Sequence, residues 1–257
     1  MIKRALRRSI IKALSRGLKA DLFGGAVGAV APIIVQETNP VFWQDPGTNT
    51  APYTFPQPTA AGNTLVVHCS HGYFNTLTLT DSASGTVAGG QWTKEIDDVG
   101  FAIPGDGDPL ANQNDRQHVW VRRNCPAGIT GVTLVTSAGT ILGRINIREV
   151  SGLSNVAPIV RLSARNVAGQ SAVAIAVPGA GFLSCLVRTS PSATPVSASA
   201  GSIVRRANFL TDNTTPYTGA VSEHSVHGAT ASARDFNSSW PDGASTIGYH
   251  GVFIPAA

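Results

Sequence analysis

The sequence predicts an all-β protein, an antiparallel β-sandwich that follows one N-terminal amphipathic helix and an extended arm. Composition is the first observation behind this prediction: of 257 residues only 13% are charged, while Gly (27) and Pro (16) are frequent, as is typical of strands and turns. The second is the recurrence of short apolar segments between turn residues, of which Gly62-Asn63-Thr64-Leu65-Val66-Val67-His68-Cys69 is the clearest. The third is alternation of the kind expected in half-buried strands, which we find in His118-Val119-Trp120-Val121-Arg122 and in Ile145-Asn146-Ile147-Arg148-Glu149-Val150.

Residues 1–23 form the predicted helix, and the Gly24-Gly25 pair ends this first segment, residues 1–25. Aliphatic residues recur about every four positions on one side of it and basic residues cluster on the other, the pattern of an amphipathic basic helix. A lone helix of this length is marginal in water, so its apolar stripe needs a surface to cover it. We therefore predict an attachment helix. Its partner-binding residues are Ile2, Lys3, Arg4, Leu6, Arg7, Arg8, Ile10, Ile11, Leu14 and Leu18.

The charge of the chain is unevenly distributed. The formal net charge is +4, yet seven basic residues precede the first acidic residue, Asp21: Lys3, Arg4, Arg7, Arg8, Lys12, Arg16 and Lys19. The rest of the chain carries 12 basic and 15 acidic residues, a net charge of −3. A basic segment on a mildly acidic body is not the charge pattern of a nucleic-acid-binding domain, and no aromatic residue interleaves the basic ones. We expect no nucleic-acid partner.

Other interpretations of residues 1–23 are a secretory signal, a transit peptide and a helix that lies on a membrane surface. Asp21 and several glycines interrupt the apolar segment that a secretory signal needs, and Pro32 follows the small residues of a cleavage site. We favour docking on a protein partner over membrane binding, and expect no membrane partner.

Residues 26–61 are predicted to be a Pro-rich extended arm. Residues 31–36 have the composition of a strand at a sheet edge, while the prolines that follow favour extended or turn geometry: Pro40, Pro46, Pro52, Pro56 and Pro58.

Residues 62–257 form the predicted sandwich body, of jelly-roll or lectin-like type. Its strands are placed near residues 64–71, 76–80, 91–96, 118–123, 132–136, 141–150, 172–177, 182–188, 203–209, 217–226, 229–234 and 246–254. The three cysteines, Cys69, Cys125 and Cys185, are predicted to be buried free thiols.

Six segments of the predicted body form a recurring pattern. They are residues 62–67, Leu79-Thr80-Asp81-Ser82-Ala83-Ser84-Gly85 with Trp92-Thr93-Lys94, His118-Val119-Trp120-Val121, residues 131–135, Ile147-Arg148-Glu149-Val150-Ser151-Gly152-Leu153 and residues 248–255. Together they resemble a β-sandwich module of bacteriophage structural proteins and bacterial surface proteins. The basic N-terminus is similar to the short attachment leader of some phage tail and head accessory proteins. The resemblance implies a non-enzymatic virion component, of tail fibre, baseplate or capsid decoration type, that binds other virion proteins and forms a homo-oligomer.

No nucleophile elbow, Walker loop, dinucleotide fingerprint or His-Glu-x-x-His occurs in the sequence. His68 and His71, like His224 and His227, are three residues apart in predicted strands and therefore point to opposite faces, which is unsuited to binding one ion. The predicted acidic loop of Asp97 and Asp98 with residues 105–109 could offer oxygen ligands to Ca²⁺, but it lacks the EF-hand pattern, and we favour a solvated turn. We expect no metal and no cofactor.

A polar loop presents the candidate ligand-binding aromatics Phe236 and Trp240, with Tyr217 as a third, and a host surface glycan is the ligand they would suit. The alternative function is a secreted, lectin-like carbohydrate-binding module. A glycanase would need two carboxylates about 5 to 10 Å apart in a cleft. Among the glutamates, Glu149 is expected to pair with the neighbouring Arg148 or with Arg161.

Overall fold

The computed structural model of the chain describes residues 31–38, 41–45, 50–71, 77–99, 116–136, 141–167, 172–189, 203–206, 220–227, 232–237 and 246–257. Every regular element in these ranges is a β-strand. The strands are Ile33–Glu37 (β1), Val41–Asp45 (β2), Thr50–Thr54 (β3), Thr64–His71 (β4), Leu77–Asp81 (β5), Thr93–Val99 (β6), Arg116–Arg122 (β7), Gly131–Thr136 (β8), Ile141–Ser151 (β9), Val160–Val167 (β10), Ala172–Val177 (β11), Gly181–Thr189 (β12), Ile203–Arg206 (β13), Ala220–His227 (β14), Ser232–Asn237 (β15) and Thr246–Pro255 (β16).

The central sheet has the strand order β1-β9-β4-β7-β6, and β2 also pairs with β9. All of these pairings are antiparallel. The long strand β9 accommodates two partners on one side because β1 pairs with its last residues and β2 with its first five. The predicted edge pairing of residues 31–36 is confirmed.

Both faces of the central sheet are buried, which explains the nearly continuous apolar run in β4. Alternate residues of a strand point to opposite faces. Leu65 and Val67 therefore pack on one side, against the outer sheet β3-β8-β5, and Val66 packs on the other, against β12 and β16. The first core also contains Tyr53, Phe55, Trp92, Trp120, Ile129 and Leu134, and the second contains Val119, Val121, Val150, Phe182, Val252 and Ile254.

Strands β12 and β16 belong to the C-terminal sheet, whose order is β10-β16-β12-β14-β13. Leu183 and Phe253 are opposite each other on these strands. Their neighbours in sequence face the central sheet, so these two side chains point to the other face of the C-terminal sheet, where they are also buried. A Cβ at Gly181 would collide with the Phe253 ring, so the glycine lets the ring lie against the β12 backbone. Strands β11 and β15 form a separate antiparallel pair.

The all-β prediction and the antiparallel pairing are confirmed in the described residues, and the predicted helix at 1–23 lies outside them. Three strands were not predicted: β2, β3 and β10. Strands β2 and β3 lie in the Pro-rich arm, where Pro52 is exposed on β3 at the edge of its sheet, a position that tolerates proline. The described part of residues 26–61 thus contributes three strands, β1, β2 and β3, to the sheets of the body.

Candidate functional site

The sequence-predicted partner-binding residues, positions 2–18, lie outside the described residues. The same is true of Tyr217 and Trp240. The predicted loop position of Phe236 is wrong: Phe236 lies in β15, where its backbone pairs with Val173 of β11, and its side chain is not described. The polar clusters that the structure does describe lie elsewhere, in and beside the central sheet.

The most deeply buried of these lies between the central sheet and the C-terminal sheet, and we call it the inter-sheet cluster. It consists of Glu37 from β1, His68 from β4, Asn146 and Arg148 from β9, Ser184 from β12 and His250 from β16. Strand alternation places Asn146 and Arg148 on the same face as Val150, and His68 on the same face as Val66, so all project towards the C-terminal sheet.

Arg148 is the centre of the inter-sheet cluster, and its side chain is 0% exposed. Its Nε donates to Glu37 Oε1 at 2.7 Å, and its Nη1 donates to Ser184 Oγ at 2.7 Å. Asn146 Nδ2 donates to the Thr38 carbonyl at 3.0 Å and to Glu37 Oε1 at 3.3 Å. An arginine removed from water in this way needs its carboxylate, because an unpaired buried charge is strongly unfavourable.

His68 completes the contact across the two sheets, with its Nε2 at 2.8 Å from Ser184 Oγ. Burial lowers the pKa of His68 well below its ordinary value, and the positive charge of Arg148 and the presence of His250 lower it further. His68 is therefore neutral at pH 7. Its Nδ1 is buried and makes no hydrogen bond within the described part of the chain.

A serine beside a histidine is also the arrangement of a nucleophile and its base. Here Ser184 Oγ lies between two sheets, out of contact with solvent, and accepts a hydrogen bond from a guanidinium. The nearby carboxylate of Glu37 binds Arg148. The inter-sheet cluster therefore joins two sheets and holds no exposed nucleophile.

A bulge in β1 determines which residues of the arm lie opposite the charged residues of β9. Ile34 is opposite Val150 and Gln36 is opposite Glu149, so Val35 is the extra residue. As a result Gln36 and Glu37 lie opposite Glu149 and Arg148. The arm thereby supplies a polar partner to each of two adjacent buried charges.

Glu149 is buried and accepts hydrogen bonds from amide groups. Its Oε1 accepts from Asn63 Nδ2 at 2.6 Å and from the Ala60 backbone N–H at 2.9 Å, and its Oε2 accepts from Gln36 Nε2 at 2.5 Å. The predicted pairing of Glu149 with Arg148 or Arg161 is wrong. Arg148 lies on the opposite face of β9 and pairs with Glu37, while Arg161 pairs with Glu95 of β6.

A second buried carboxylate organises the turn after β5. Asp81 Oδ1 accepts from the backbone N–H groups of Ala83 (2.9 Å) and Gly85 (3.0 Å). Its Oδ2 accepts from Trp92 Nε1 at 2.7 Å and from Arg122 Nη1 of β7. The segment Asp81 to Gly85 with Trp92, quoted above for its resemblance, therefore has a structural role as a turn tied to the first core.

A more exposed cluster lies near the β6 edge of the central sheet. His118 Nδ1 and Asp97 Oδ1 are 2.8 Å apart, Lys94 Nζ lies 3.2 Å from Asp97 Oδ2, and the rings of His118 and Trp120 are 4.9 Å apart. The hydrogen bond from His118, followed by the charges of His118 and Lys94, holds the pKa of Asp97 well below its ordinary value. Asp97 is thus an ion-pair partner, and residues 100–115 of the acidic segment lie outside the described residues.

Within the described ranges, no group of three or more His, Cys, Asp or Glu side chains is arranged to hold a metal ion. Cys69 and Cys125 are buried free thiols, as predicted, and burial raises the pKa of Cys69. The side chain of Cys185 in β12 is not described.

No family model, curated protein or solved structure matches the chain. In the part of the chain that the structure describes, no helix is long and apolar enough to cross a membrane.

Proposed function

We propose that the chain is a structural component of a bacteriophage virion. Its N-terminal helix anchors it to a larger assembly of tail or head proteins, and a jelly-roll or lectin-like β-sandwich is presented at the particle surface. The protein acts without catalysis and without a cofactor, and several copies assemble as a symmetric homo-oligomer.

The observation that carries this proposal is the separation of the positive charge from the body. Seven basic residues accompany an apolar stripe in the first 19 positions, and the remaining residues have a net charge of −3. Burying six aliphatic side chains of such a helix contributes on the order of 10 kcal/mol before ordering costs, enough to hold a subunit in an assembly.

The buried charges of the body support the same proposal. Three of the four glutamates are bound within the chain, Glu37 to Arg148, Glu95 to Arg161 and Glu149 to three amide donors. These contacts tie strands and sheets together. Such a body suits the presentation of a surface better than the turnover of a substrate.

Truncation tests the anchor. A chain that begins at Ala26 retains β1, with Gln36 and Glu37, so we expect it to fold with the melting temperature of the full chain. We expect it to be absent from phage particles assembled in cells that carry the truncated gene, as measured by mass spectrometry of purified particles. Normal incorporation would refute the anchoring role of residues 1–25.

Two sets of substitutions separate the two faces of the helix. Leu6→Asp, Ile10→Asp and Leu14→Asp together remove the apolar stripe, and we expect them to prevent incorporation as the truncation does. Lys12→Gln and Arg16→Gln alter only the basic face and leave the stripe intact. If the basic-face variant fails while the stripe variant assembles, the helix binds through charge, and docking by apolar burial is excluded.

Host-surface binding is the second part of the proposal and concerns Tyr217, Phe236 and Trp240. Exposed aromatic rings with polar neighbours stack on sugar rings, and each aromatic side chain contributes a large contact area. Trp240→Ala should reduce adsorption of the purified protein to host cells at least tenfold and leave its melting temperature unchanged. Unchanged adsorption would discard this glycan site while leaving the anchor proposal intact.

A further inference from the structure

The described sheets divide the chain into two halves. Residues 33–151 supply every strand of the central sheet and of the outer sheet β3-β8-β5, while residues 160–255 supply the C-terminal sheet. The halves meet across the second core, where Val66, Val119 and Val150 pack against Phe182 and Val252. The inter-sheet cluster is embedded in this otherwise apolar contact.

A histidine in this position favours one protonation state. His68 is 1% exposed, its Nε2 is bound to Ser184 of the other half, and its Nδ1 has no partner in the described residues. A proton added to His68 would place a second positive charge beside Arg148 in an apolar layer, and the Nδ1–H group of the protonated ring would have no acceptor among the described residues. Burying a charge without a partner is strongly unfavourable.

The charged and titratable groups that face His68 come from several strands. Arg148 of β9 is positive and is neutralised by Glu37 of β1, and His250 of β16 belongs to the same cluster. The described β7 residues on this face are Gln117, Val119 and Val121, which do not titrate. Position 224 of β14 is opposite Ser184 in the strand register and is a further histidine.

We infer that the contact between His68, Ser184 and Arg148 is a pH-sensitive joint, at which acid separates the C-terminal sheet from the central sheet. The unfolded or opened state takes up a proton on His68 below about pH 6.5, and the closed state does not. Neutral His68 therefore stabilises the closed state fully above about pH 6.5, and this contribution to the free energy of opening is lost as the pH falls. The other core, between the central sheet and β3-β8-β5, has no part in this joint and stays closed.

Thiol labelling in the full-length protein tests the joint. Val252→Cys places a thiol of similar size in the contact between the halves, and the native Cys69 lies in the other core of the same molecule. The labelling rate of the introduced thiol is divided by that of an unstructured peptide of the same local sequence at the same pH. This ratio, measured by peptide mass spectrometry, cancels the intrinsic pH dependence of thiol reactivity, and labelling of Cys69 reports separately on the first core. From pH 6.5 to pH 5.0 we expect the ratio to rise about 16-fold, because the open state is half protonated at its pKa of about 6.5 and the opening equilibrium approaches a tenfold change per pH unit only below it.

Variants of two buried histidines complete the design. His68→Gln in the Val252→Cys background should abolish the rise in the ratio, and His68→Met serves the same purpose if the glutamine variant does not fold. His118→Gln is the matched control, since His118 is equally buried but lies on the opposite face of the central sheet. A constant ratio in the parent protein, or a rise that survives the loss of His68, would overturn the inference.

Discussion

Replacement of Glu37 by glutamine is expected to lower the free energy of unfolding by about 3 kcal/mol. The substitution preserves the shape of the side chain and removes the negative charge that Arg148 requires. Because the Arg148 side chain is wholly buried, solvent cannot replace that charge. Urea denaturation at pH 7, monitored by tryptophan fluorescence, measures the change.

A matched control and a double variant show how much of the loss in the free energy of unfolding comes from burial of the charge and how much from loss of an ion pair. Glu95→Gln breaks the pair with Arg161, an arginine that is 52% exposed, so we expect a loss below about 1 kcal/mol. Glu37→Gln with Arg148→Met removes both charges from the cluster and should recover more than half of the loss, since an apolar replacement of a buried ion pair is often close to neutral. Equal losses for Glu37→Gln and Glu95→Gln would contradict this account.

The strands with the strongest local patterns could be predicted from the sequence. The predicted bounds 64–71 and 141–150 agree with β4 and β9, because a turn followed by β-branched residues is a local signal. Strand β10 was not predicted, although Val160-Arg161-Leu162-Ser163 alternates as a half-buried strand does. This alternation was the only local signal for β10, and it was weak because the segment contains few apolar residues.

The layering of the sheets could not be predicted in the same way. The continuous apolar run of β4 indicates burial on both faces, but it does not say which strands supply the two covering layers. Those layers come from distant positions, β8 and β5 on one side and β12 and β16 on the other. Their arrangement depends on pairing between strands far apart in sequence, which a local pattern does not encode.

The same limit explains the inter-sheet cluster. His68 and Ser184 are 116 residues apart, and Glu37 and Arg148 are 111 apart. The sequence indicated a strand ending near Arg148 and Glu149, yet it assigned Glu149 the wrong partners, because adjacent strand residues point to opposite faces. The bulge at Val35, which aligns Gln36 and Glu37 with these two charges, has no sequence signal of its own.

The turn after β5 depends on a single carboxylate. Asp81 accepts four hydrogen bonds, from two backbone N–H groups of its own turn, from Trp92 and from Arg122. Gly85 is required beside it, since a Cβ there would collide with the Arg122 guanidinium and the Asp81 carboxylate. The Asp81 carboxylate therefore links the turn, the first core and β7 through its hydrogen bonds.

Asp81→Asn is expected to lower the free energy of unfolding by about 4 kcal/mol, because the amide leaves Arg122 without a buried counter-charge and replaces an acceptor by a donor that faces other donors. Asp97→Asn is the matched control: Asp97 also pairs with basic side chains, but it is 49% exposed, so we expect a loss below about 1 kcal/mol at pH 7. Urea denaturation of both variants measures the difference. Because Asp81→Asn removes the acceptor of Trp92 Nε1, the fluorescence spectrum of the folded state should also change in that variant. A small loss for Asp81→Asn would mean that the turn is held by its backbone and that the carboxylate is dispensable.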